Sequence, residues 1–397
     1  MGGRSMQYRI HPKTGDRISV LGYGCLRFSK NALGIDQKKA EQELTLAYDS
    51  GVNYYDTGYI YPGSEEALGK WLSRGYRDKV FVATKTPQYL LRDLKAFDGC
   101  LAQQLRRLRT DHIDYYLFHM LNDDRQWARL RALGIEEWIA RQKAAGKIRH
   151  VGFSFHGGTE QFIKVLDVYD WDTCYVQYNY MDETSQAGVR GVRYAAEKGI
   201  GVVIMEPLRG GRLCHKLPKG ALAAFAAATE QRSPAAWGLQ WLWDQEEVLC
   251  VLSGMNDREQ VRENAAAADR AAVGALTARD REMFSAVRAA VHRATKVGCT
   301  GCGYCMPCPH GVDIPVCFRT YNDRWTDGWY TGMKEYLMCT TLKRERSNAS
   351  LCVGCGKCEQ HCPQHIAIRR ELKAVCRHME TPVYKVAAKV LGLVAKY

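Results

Sequence analysis

Eight cysteines stand in two short groups near the end of the chain, and their spacing is the strongest chemical signal in the sequence. The first group reads CTGCGYCMPCP, from Cys299 to Pro309, and the second reads CVGCGKCEQHCP, from Cys352 to Pro363. Thiolates are soft ligands that suit iron–sulfur clusters and zinc. Glycines at positions 301, 303, 354 and 356 allow the backbone to wrap closely around a bound group. The sequence therefore predicts a metal-binding region.

The second group has the C-x2-C-x2-C-x3-C-P spacing of bacterial ferredoxins, and the first group is one residue shorter in its last gap. In two-cluster ferredoxins the fourth cysteine of each run ligates the other cluster. The resemblance implies two [4Fe–4S] clusters, one on Cys299, Cys302, Cys305 and Cys362, and the other on Cys352, Cys355, Cys358 and Cys308. Zinc held by C-x2-C pairs is the alternative. The helical pattern of residues 311–351 favours a helical dicluster domain.

Composition and length bound the rest of the chain. Its 397 residues leave room for one large domain and one smaller domain, and 46% apolar with 25% charged residues is typical of soluble globular proteins. The start, MGGRSMQYRI, has no apolar signal region, and residues 1–5 are interpreted as a cloning remnant. The sequence contains no run of about eighteen apolar residues, so no transmembrane segment is expected. Sixteen cysteines in such a chain indicate a reducing, cytoplasmic location and metal or catalytic use.

The formal net charge is +13, and two clusters at about −2 each would reduce it to roughly +9. The basic residues are dispersed, which leaves two interpretations open. They form a solvated surface, or they attract an acidic partner such as an electron-transfer protein. No nucleic-acid motif and no basic stripe with interleaved aromatics occurs, so nucleic acid is not an expected partner.

Short β-rich runs alternate with amphipathic helical patterns over residues 18–270. The runs lie at residues 20–24, 52–56, 80–85, 113–119, 150–154, 174–178, 201–206 and 248–253. They are nearly continuous apolar runs, which is typical of parallel strands buried on both faces. Eight strands that are each followed by a helix predict a (β/α)8 TIM barrel. The alternative, a doubly wound sheet, normally has a GxGxxG turn after its first strand, and GYGCLRF does not fit that pattern.

The same patterns divide the chain. We expect the barrel over 6–275, preceded by a hairpin with a TGD turn, a linker helix over 276–296 and a small helical dicluster domain over 297–376. The segment 377–397 is amphipathic and basic. It is interpreted either as a helix that docks on its own protein or as one that binds a membrane surface or a partner.

Four polar residues at or near the ends of three consecutive predicted strands suggest proton transfer. Asp56 ends the second strand, Tyr61 follows five residues later, Lys85 ends the third strand and His119 ends the fourth. A TIM barrel carries its catalytic groups at this end of its strands. A free phenol has a pKa near 10, and a neighbouring ammonium is expected to lower it. A carboxylate would hold the ammonium, and an imidazole would donate a hydrogen bond to a carbonyl oxygen.

The stretches DTGYIY, GSEEALG, ATK and DYYLFH resemble the aldo/keto reductase superfamily, in the branch that carries a C-terminal dicluster ferredoxin-type domain. The resemblance implies that Asp56, Tyr61, Lys85 and His119 form a catalytic tetrad with Tyr61 as general acid. It implies hydride transfer between NADH or NADPH and a small carbonyl or alcohol. The cofactor contacts that it implies are Ser154, Gln177, Leu208, Gly210, Gly211, Ser253, Gly254, Glu263 and Asn264.

Some positions leave alternatives open. Gly254, Met255 and Asn256 stand where many relatives have a basic residue for a 2′-phosphate, so the nucleotide preference is not assigned. Met205 or Glu206 stands where relatives stack an aromatic on the nicotinamide, which makes a flavin an alternative. The clusters serve electron transfer or structural support. A further alternative is a ferredoxin-linked electron-transfer protein whose barrel transfers no hydride. Arg27 is interpreted as a ligand of an anionic substrate or as a surface residue.

Overall fold

A closed barrel of parallel strands forms the first part of the molecule. The computed structural model describes residues 6–394 except positions 33, 300, 302, 304, 327, 344 and 363. Within these residues, eight strands close the barrel, with β8 pairing with β1. The strands are β1 (Leu21–Gly24), β2 (Tyr54–Asp56), β3 (Phe81–Thr86), β4 (Ile113–Phe118), β5 (Ile148–Phe155), β6 (Thr173–Gln177), β7 (Gly201–Met205) and β8 (Val248–Ser253). The predicted (β/α)8 fold is confirmed.

Burial explains why the barrel strands are readable from the sequence. Every residue of β4 and of β8 is buried, because each strand faces the barrel interior on one side and the helices on the other. The predicted hairpin also forms, with Tyr8–Ile10 antiparallel to Arg17–Ser19. Ile18 of this hairpin packs into the cluster of apolar side chains that fills the barrel.

Helices connect the strands. They are α1 (Gln37–Asp49), α2 (Ser64–Leu72), α3 (Leu94–Leu108), α4 (Asp124–Ala132), α5 (Ile135–Ala144), α6 (Thr159–Asp167), α7 (Gly188–Glu197), α8 (Arg212–His215), α9 (Lys219–Ala226), α10 (Pro234–Trp243) and α11 (Arg258–Ala268). Asp36 caps α1 as predicted, since its carboxylate accepts a hydrogen bond from the backbone nitrogen of Lys39 at 3.1 Å. Gly51, with φ of 94°, follows the end of α1 in the left-handed conformation that glycine favours.

The chain divides into two compact units, residues 1–213 with 232–278 and residues 214–231 with 279–397. The helices of the second unit that follow the barrel sequence are α12 (Ala278–Arg293), α13 (Ile314–Thr326), α14 (Trp329–Tyr336), α15 (Lys357–Gln360), α16 (Ile368–Met379) and α17 (Pro382–Val394), with a π-helical turn at Leu337–Thr341. Phe318, Tyr336 and Leu372 belong to its apolar core. The helical character predicted for this region is therefore confirmed.

The segment 214–231 precedes α10 and β8 in the sequence but groups with the second unit. Its helix α9 packs against α12, where the rings of Phe225 and Phe284 meet edge to face at 6.2 Å. The domain boundaries stated from the sequence stay a prediction, and residues 1–5 and 395–397 lie outside the described part of the chain. Within the described residues, no helix has the length and apolar character needed to cross a membrane.

Candidate functional site

A buried ion pair lies where β2 and β3 end. Asp56 pairs with Ala83 across the two strands, so Lys85, two residues beyond Ala83, points to the same face. The Nζ atom of Lys85 lies 2.5 and 2.6 Å from the two carboxylate oxygens of Asp56. It also donates to the carbonyl of Thr57 at 2.7 Å. These contacts fix the position of the ammonium.

Tyr61 lies beside this ammonium. Its ring centroid is 5.1 Å from Nζ of Lys85 and 6.0 Å from the ring of His119, which stands nearly perpendicular to it. The absence of a side chain at Gly58 permits this placement, because a Cβ there would lie 3.2 Å from the Tyr61 ring. The structure therefore brings the four predicted tetrad residues together around one point of the barrel mouth.

His119 is a neutral imidazole in this setting. It is 6% exposed, and its Nδ1 atom has no hydrogen-bond partner among the described residues. Burial lowers the pKa of His119 to about 3, with smaller contributions from Lys85 and His156. A neutral imidazole has one donor nitrogen, which suits a hydrogen bond to a carbonyl oxygen.

The electrostatics of Tyr61 differ from the expectation stated from the sequence. Burial raises the pKa of the Tyr61 phenol, and the ammonium of Lys85 offsets only part of that rise. The expected net lowering of this pKa is wrong, because removing the phenol from water disfavours the phenolate more than one shared cation favours it. Burial disfavours the charged form of Lys85, but Asp56 and Tyr61 outweigh it and raise the pKa of the ammonium. The phenol is thus protonated and the ammonium charged at neutral pH.

The predicted cofactor residues fall on neighbouring strand ends. Ser154 of β5 pairs with Tyr175 of β6, and Gln177 lies two residues further along β6. The hydroxyl of Ser154 accepts a hydrogen bond from the backbone nitrogen of Met120 at 2.9 Å. The amide oxygen of Gln177 accepts one from Gln186 at 2.9 Å.

The other predicted cofactor residues lie after β7 and β8. Asn264 donates to the hydroxyl of Ser253 at 3.1 Å, and both side chains are buried. Leu208 is buried, while Glu263 is exposed. The structure therefore supports a local cluster of Ser253 with Asn264, and it gives Glu263 no contact that would fix its position among the described residues.

Arg27 joins three strand ends in a way that the sequence did not reveal. It follows β1, and a Cβ added at Gly254 would lie 2.8 Å from its Cδ atom. A Cβ added at Gly210 would lie 2.7 Å from its Nη2 atom. The same Nη2 atom lies 3.3 Å from a carboxylate oxygen of Glu206. A half-exposed guanidinium therefore spans the loops after β7 and β8, directly over two of the predicted cofactor glycines.

The backbone around this contact is strained, since Glu206 and Arg209 both have positive φ, 51° and 46°. Gly210 and Gly211 follow with φ of 66° and 89°, which glycine adopts without cost. The pair of glycines was readable from the sequence, but the approach of Arg27 to them was not, because about 180 residues separate these positions in the chain.

The cysteines gather in the second unit as two sets. Cys305, Cys308, Cys352, Cys355 and Cys358 line one cavity of about 360 Å³. Cys299, Cys305 and Cys362 line another, and Cys302 lies outside the described residues. The four glycines of the two motifs have φ between 74° and 79°, so they turn the loops as expected. Cys305 borders both cavities, while Cys308 lies with thiols of the second motif and Cys362 with thiols of the first, in agreement with the exchange that the ferredoxin spacing implies.

The donor chemistry fits iron–sulfur clusters. The cavity-lining sets offer thiols as ligands, as such clusters require. Among the described residues, no three His, Cys, Asp or Glu side chains are close enough to hold a single metal ion. A four-iron cube takes one thiolate at each iron atom, and its ligands therefore stand further apart than those of one ion.

Comparisons with known proteins agree with both parts of the molecule. The model of the aldo/keto reductase family matches residues 20–279, and the model of a 4Fe-4S dicluster domain matches residues 298–367. The uncharacterized oxidoreductase YrpG of Bacillus subtilis is 28% identical over 54% of this chain and 70% of its own. The methylglyoxal reductase YeaE of Escherichia coli is 28% identical over 62% of this chain and 84% of its own.

Solved structures show the same fold. The holo form of the aldo-keto reductase AKR11C1 from Bacillus halodurans has a TM-score of 0.60 at 24% identity, covering 71% of this chain and 96% of that chain. An aldo-keto reductase from Klebsiella pneumoniae in complex with NADPH has a TM-score of 0.57 at 22% identity, covering 72% of this chain and 95% of that chain. The chain belongs to the aldo/keto reductase family of oxidoreductases and carries a C-terminal 4Fe-4S dicluster domain.

Proposed function

We propose that the barrel interconverts a small carbonyl compound and its alcohol with NADH or NADPH, and that Tyr61 is the general acid and base. The observation that carries this proposal is the position of Lys85, whose ammonium is fixed by Asp56 and lies 5.1 Å from the Tyr61 ring. The bound nucleotide supplies a hydride and no other chemistry.

Each side chain of the tetrad has a distinct task in this reaction. His119, held neutral by burial, donates a hydrogen bond to the carbonyl oxygen and orients it. Tyr61 donates its proton to that oxygen as the hydride arrives. Lys85 stabilises the phenolate that remains, and Asp56 keeps the ammonium in place. In the reverse direction the Tyr61 phenolate accepts the alcohol proton.

The residues at the mouth fit a nicotinamide nucleotide. Ser154 and Gln177, on adjacent strands, would hold the carboxamide. Leu208, Gly210 and Gly211 would meet the diphosphate, and Arg27 supplies a cation over the same loop. Ser253, Gly254, Glu263 and Asn264 would meet the adenosine end. The NADPH named for the Klebsiella structure supports this nucleotide class.

We further propose that the eight motif cysteines hold two [4Fe–4S] clusters, arranged as the two cavities suggest. A cluster accepts one electron, whereas a nicotinamide transfers two as a hydride. A second candidate function is therefore a flavin-dependent or ferredoxin-linked protein whose barrel transfers no hydride from nicotinamide. The placement of Met205 at the end of β7 and of Glu206 directly after it, where relatives have an aromatic, favours it.

Substitution of Tyr61 by phenylalanine tests the proposal. Methylglyoxal is a suitable probe carbonyl, because a relative that is 28% identical is named as a methylglyoxal reductase. We expect Tyr61→Phe to lower kcat/KM by roughly 10²–10⁴ in anaerobically purified protein that contains its clusters. The matched control is Tyr59→Phe, since the Tyr59 hydroxyl donates to Gln103, away from the tetrad. Equal activity of the two variants would show that Tyr61 is not the proton donor.

A further inference from the structure

The two thiol cavities differ in their access to solvent. The cavity with Cys299, Cys305 and Cys362 is lined by apolar side chains, among them Ile314 and Phe318, which are both buried. The other cavity reaches the surface, because one of its thiols, Cys355, is exposed. A group held beside Cys355 therefore lies close to the protein surface.

Exposed apolar side chains stand at the mouth of this second cavity. Val353 is 65% exposed and Met306 is 36% exposed, and both line the cavity. A small apolar centre with a polar rim is the usual composition of a protein–protein interface.

Cations surround that apolar centre. Lys357 and Arg369 line the cavity and are exposed. Lys373 and Arg377 follow Arg369 at intervals of four residues on α16, so they extend the row along one side of this helix. We call these four residues the cationic rim. Arg370 of the same helix is exposed as well.

Few carboxylates oppose these charges. Glu359 pairs with Arg369 at 2.8 Å, and Glu371, the single acidic residue of α16, pairs with Arg370 at 3.0 Å. Within the described residues, Lys373 and Arg377 form no ion pair. The face beside the exposed thiol cavity is therefore positive overall.

We propose that the cationic rim docks an acidic, one-electron carrier protein of the ferredoxin type, and that electrons enter or leave through the cluster held by Cys308, Cys352, Cys355 and Cys358. This inference rests on the proposed function only in requiring that the clusters are filled. Each transfer oxidises the reduced carrier by one electron and reduces the cluster by one, and no bond or proton is exchanged. Two such transfers supply the electron count of one hydride.

A competing explanation assigns the cations to charge compensation alone, since a cluster with four thiolates carries about −2. Lys373 and Arg377 separate the two explanations. They lie one and two helical turns beyond Arg369 and do not line the cavity. Reversing their charge should weaken docking with little effect on the cluster itself.

The test compares Lys373→Glu/Arg377→Glu with the control Lys70→Glu/Lys95→Glu, which makes the same change of net charge at exposed lysines of α2 and α3. The probe is an acidic plant-type [2Fe–2S] ferredoxin. Calorimetry measures its binding to the oxidised holo protein, and anaerobic stopped-flow absorbance measures reduction of the clusters by the reduced probe. EPR spectra and midpoint potentials report the clusters directly.

At low ionic strength, we expect the rim variant to bind the probe at least tenfold more weakly than wild type and control. Its clusters should also be reduced by the probe at least tenfold more slowly. The difference should disappear at high salt. Failure of wild type to bind the probe at low salt overturns the proposal. Equal behaviour of rim variant and control also overturns it, as does a shifted potential with unchanged binding. Because the assay contains no nucleotide or carbonyl, Tyr61→Phe should behave as wild type in it, which separates this proposal from the proposed hydride transfer.

Discussion

The ammonium of Lys85 is held between both carboxylate oxygens of Asp56, at 2.5 and 2.6 Å, and the two residues are only 1% and 5% exposed. A buried pair of this kind stabilises little by itself, but removal of one partner leaves a charge without compensation. Asp56 therefore does two things: it holds the Lys85 cation beside Tyr61, and it compensates a buried charge on which the stability of the barrel depends.

The first prediction concerns that coupling. We expect Lys85→Met to lower the free energy of unfolding of the barrel by about 3–5 kcal/mol, because Asp56 stays buried without its partner. The double variant Asp56→Asn/Lys85→Met should be more stable than Lys85→Met alone, since it buries no charge. Urea unfolding followed by far-UV circular dichroism gives the order of stabilities. A double variant that is less stable than Lys85→Met would contradict the prediction.

The second prediction concerns Glu43 on α1, a carboxylate that is fully buried. Neither of its oxygens accepts a hydrogen bond within the described residues, and Nζ of Lys39 lies 3.8 Å away. Burial raises the pKa of Glu43 from 4.5 to about 7. The folded state therefore binds more protons than the unfolded state between these values, and stability falls as the pH rises from 4.5 through 7.

Glu43→Gln removes this pH dependence. As the pH rises from 5 to 8, we expect the free energy of unfolding of the variant to increase relative to that of the wild type by on the order of 2 kcal/mol. Urea unfolding at a series of pH values measures the gain. Glu41→Gln is the matched control, because Glu41 lies on the same helix and pairs with the exposed Arg74 at 2.8 Å. A gain that is constant with pH would show that Glu43 does not titrate as stated.

The third prediction uses the contact between Arg27 and Glu206. If Arg27 binds the nucleotide diphosphate, Arg27→Ala should weaken the binding of NADH and NADPH roughly tenfold, since a charge-assisted hydrogen bond is lost. Glu206→Gln should strengthen binding, because it frees the guanidinium from a competing carboxylate. Fluorescence titration of each variant measures both dissociation constants. Changes in the same direction for the two variants would contradict this role for Arg27.

The fourth prediction tests which cysteines share a cluster. Cys305→Ala/Cys362→Ala removes two ligands of the cluster proposed on Cys299, Cys302, Cys305 and Cys362, so the purified protein should keep about half of its iron. Cys358→Ala/Cys362→Ala removes one ligand from each cavity and should lose most of its iron. Anaerobic iron analysis and EPR spectra distinguish the two outcomes. The reverse result would show that each motif holds its own cluster.

A matched control for these cysteine variants is Cys339→Ala. This thiol lies outside both motifs and accepts a hydrogen bond from Arg319 at 3.5 Å. The Cys339→Ala variant should retain the full iron content and the EPR spectra of the wild type.

Several features of the fold were predictable because one local pattern decides each of them. The run at 248–253 forms β8 over the same residues, since a strand buried on both faces needs an uninterrupted apolar sequence. Asp36 caps α1 through a contact that spans three residues. The run predicted at 52–56 forms a strand only at Tyr54–Asp56, because the paired register with β3 begins at Tyr54.

Glu43 shows where such reasoning fails. A glutamate within QKKAEQE is ordinarily assigned to solvent, but it lies on the face of α1 that buries Ala40 and Leu44. Arg27 is a similar case, since its contacts with Gly210 and Gly254 join segments that are far apart in the chain.

The sequence by itself determined the types and spacing of the reactive groups: four polar residues at strand ends, and eight cysteines in two runs. It also determined the barrel, because the alternation of apolar runs and helices permits few other arrangements. Only the tertiary structure decided how strongly those groups are buried and which charges meet. The phenol of Tyr61 has a raised rather than a lowered pKa for that reason. Desolvation depends on atoms that distant segments bring together, and a linear pattern of residues does not contain that information.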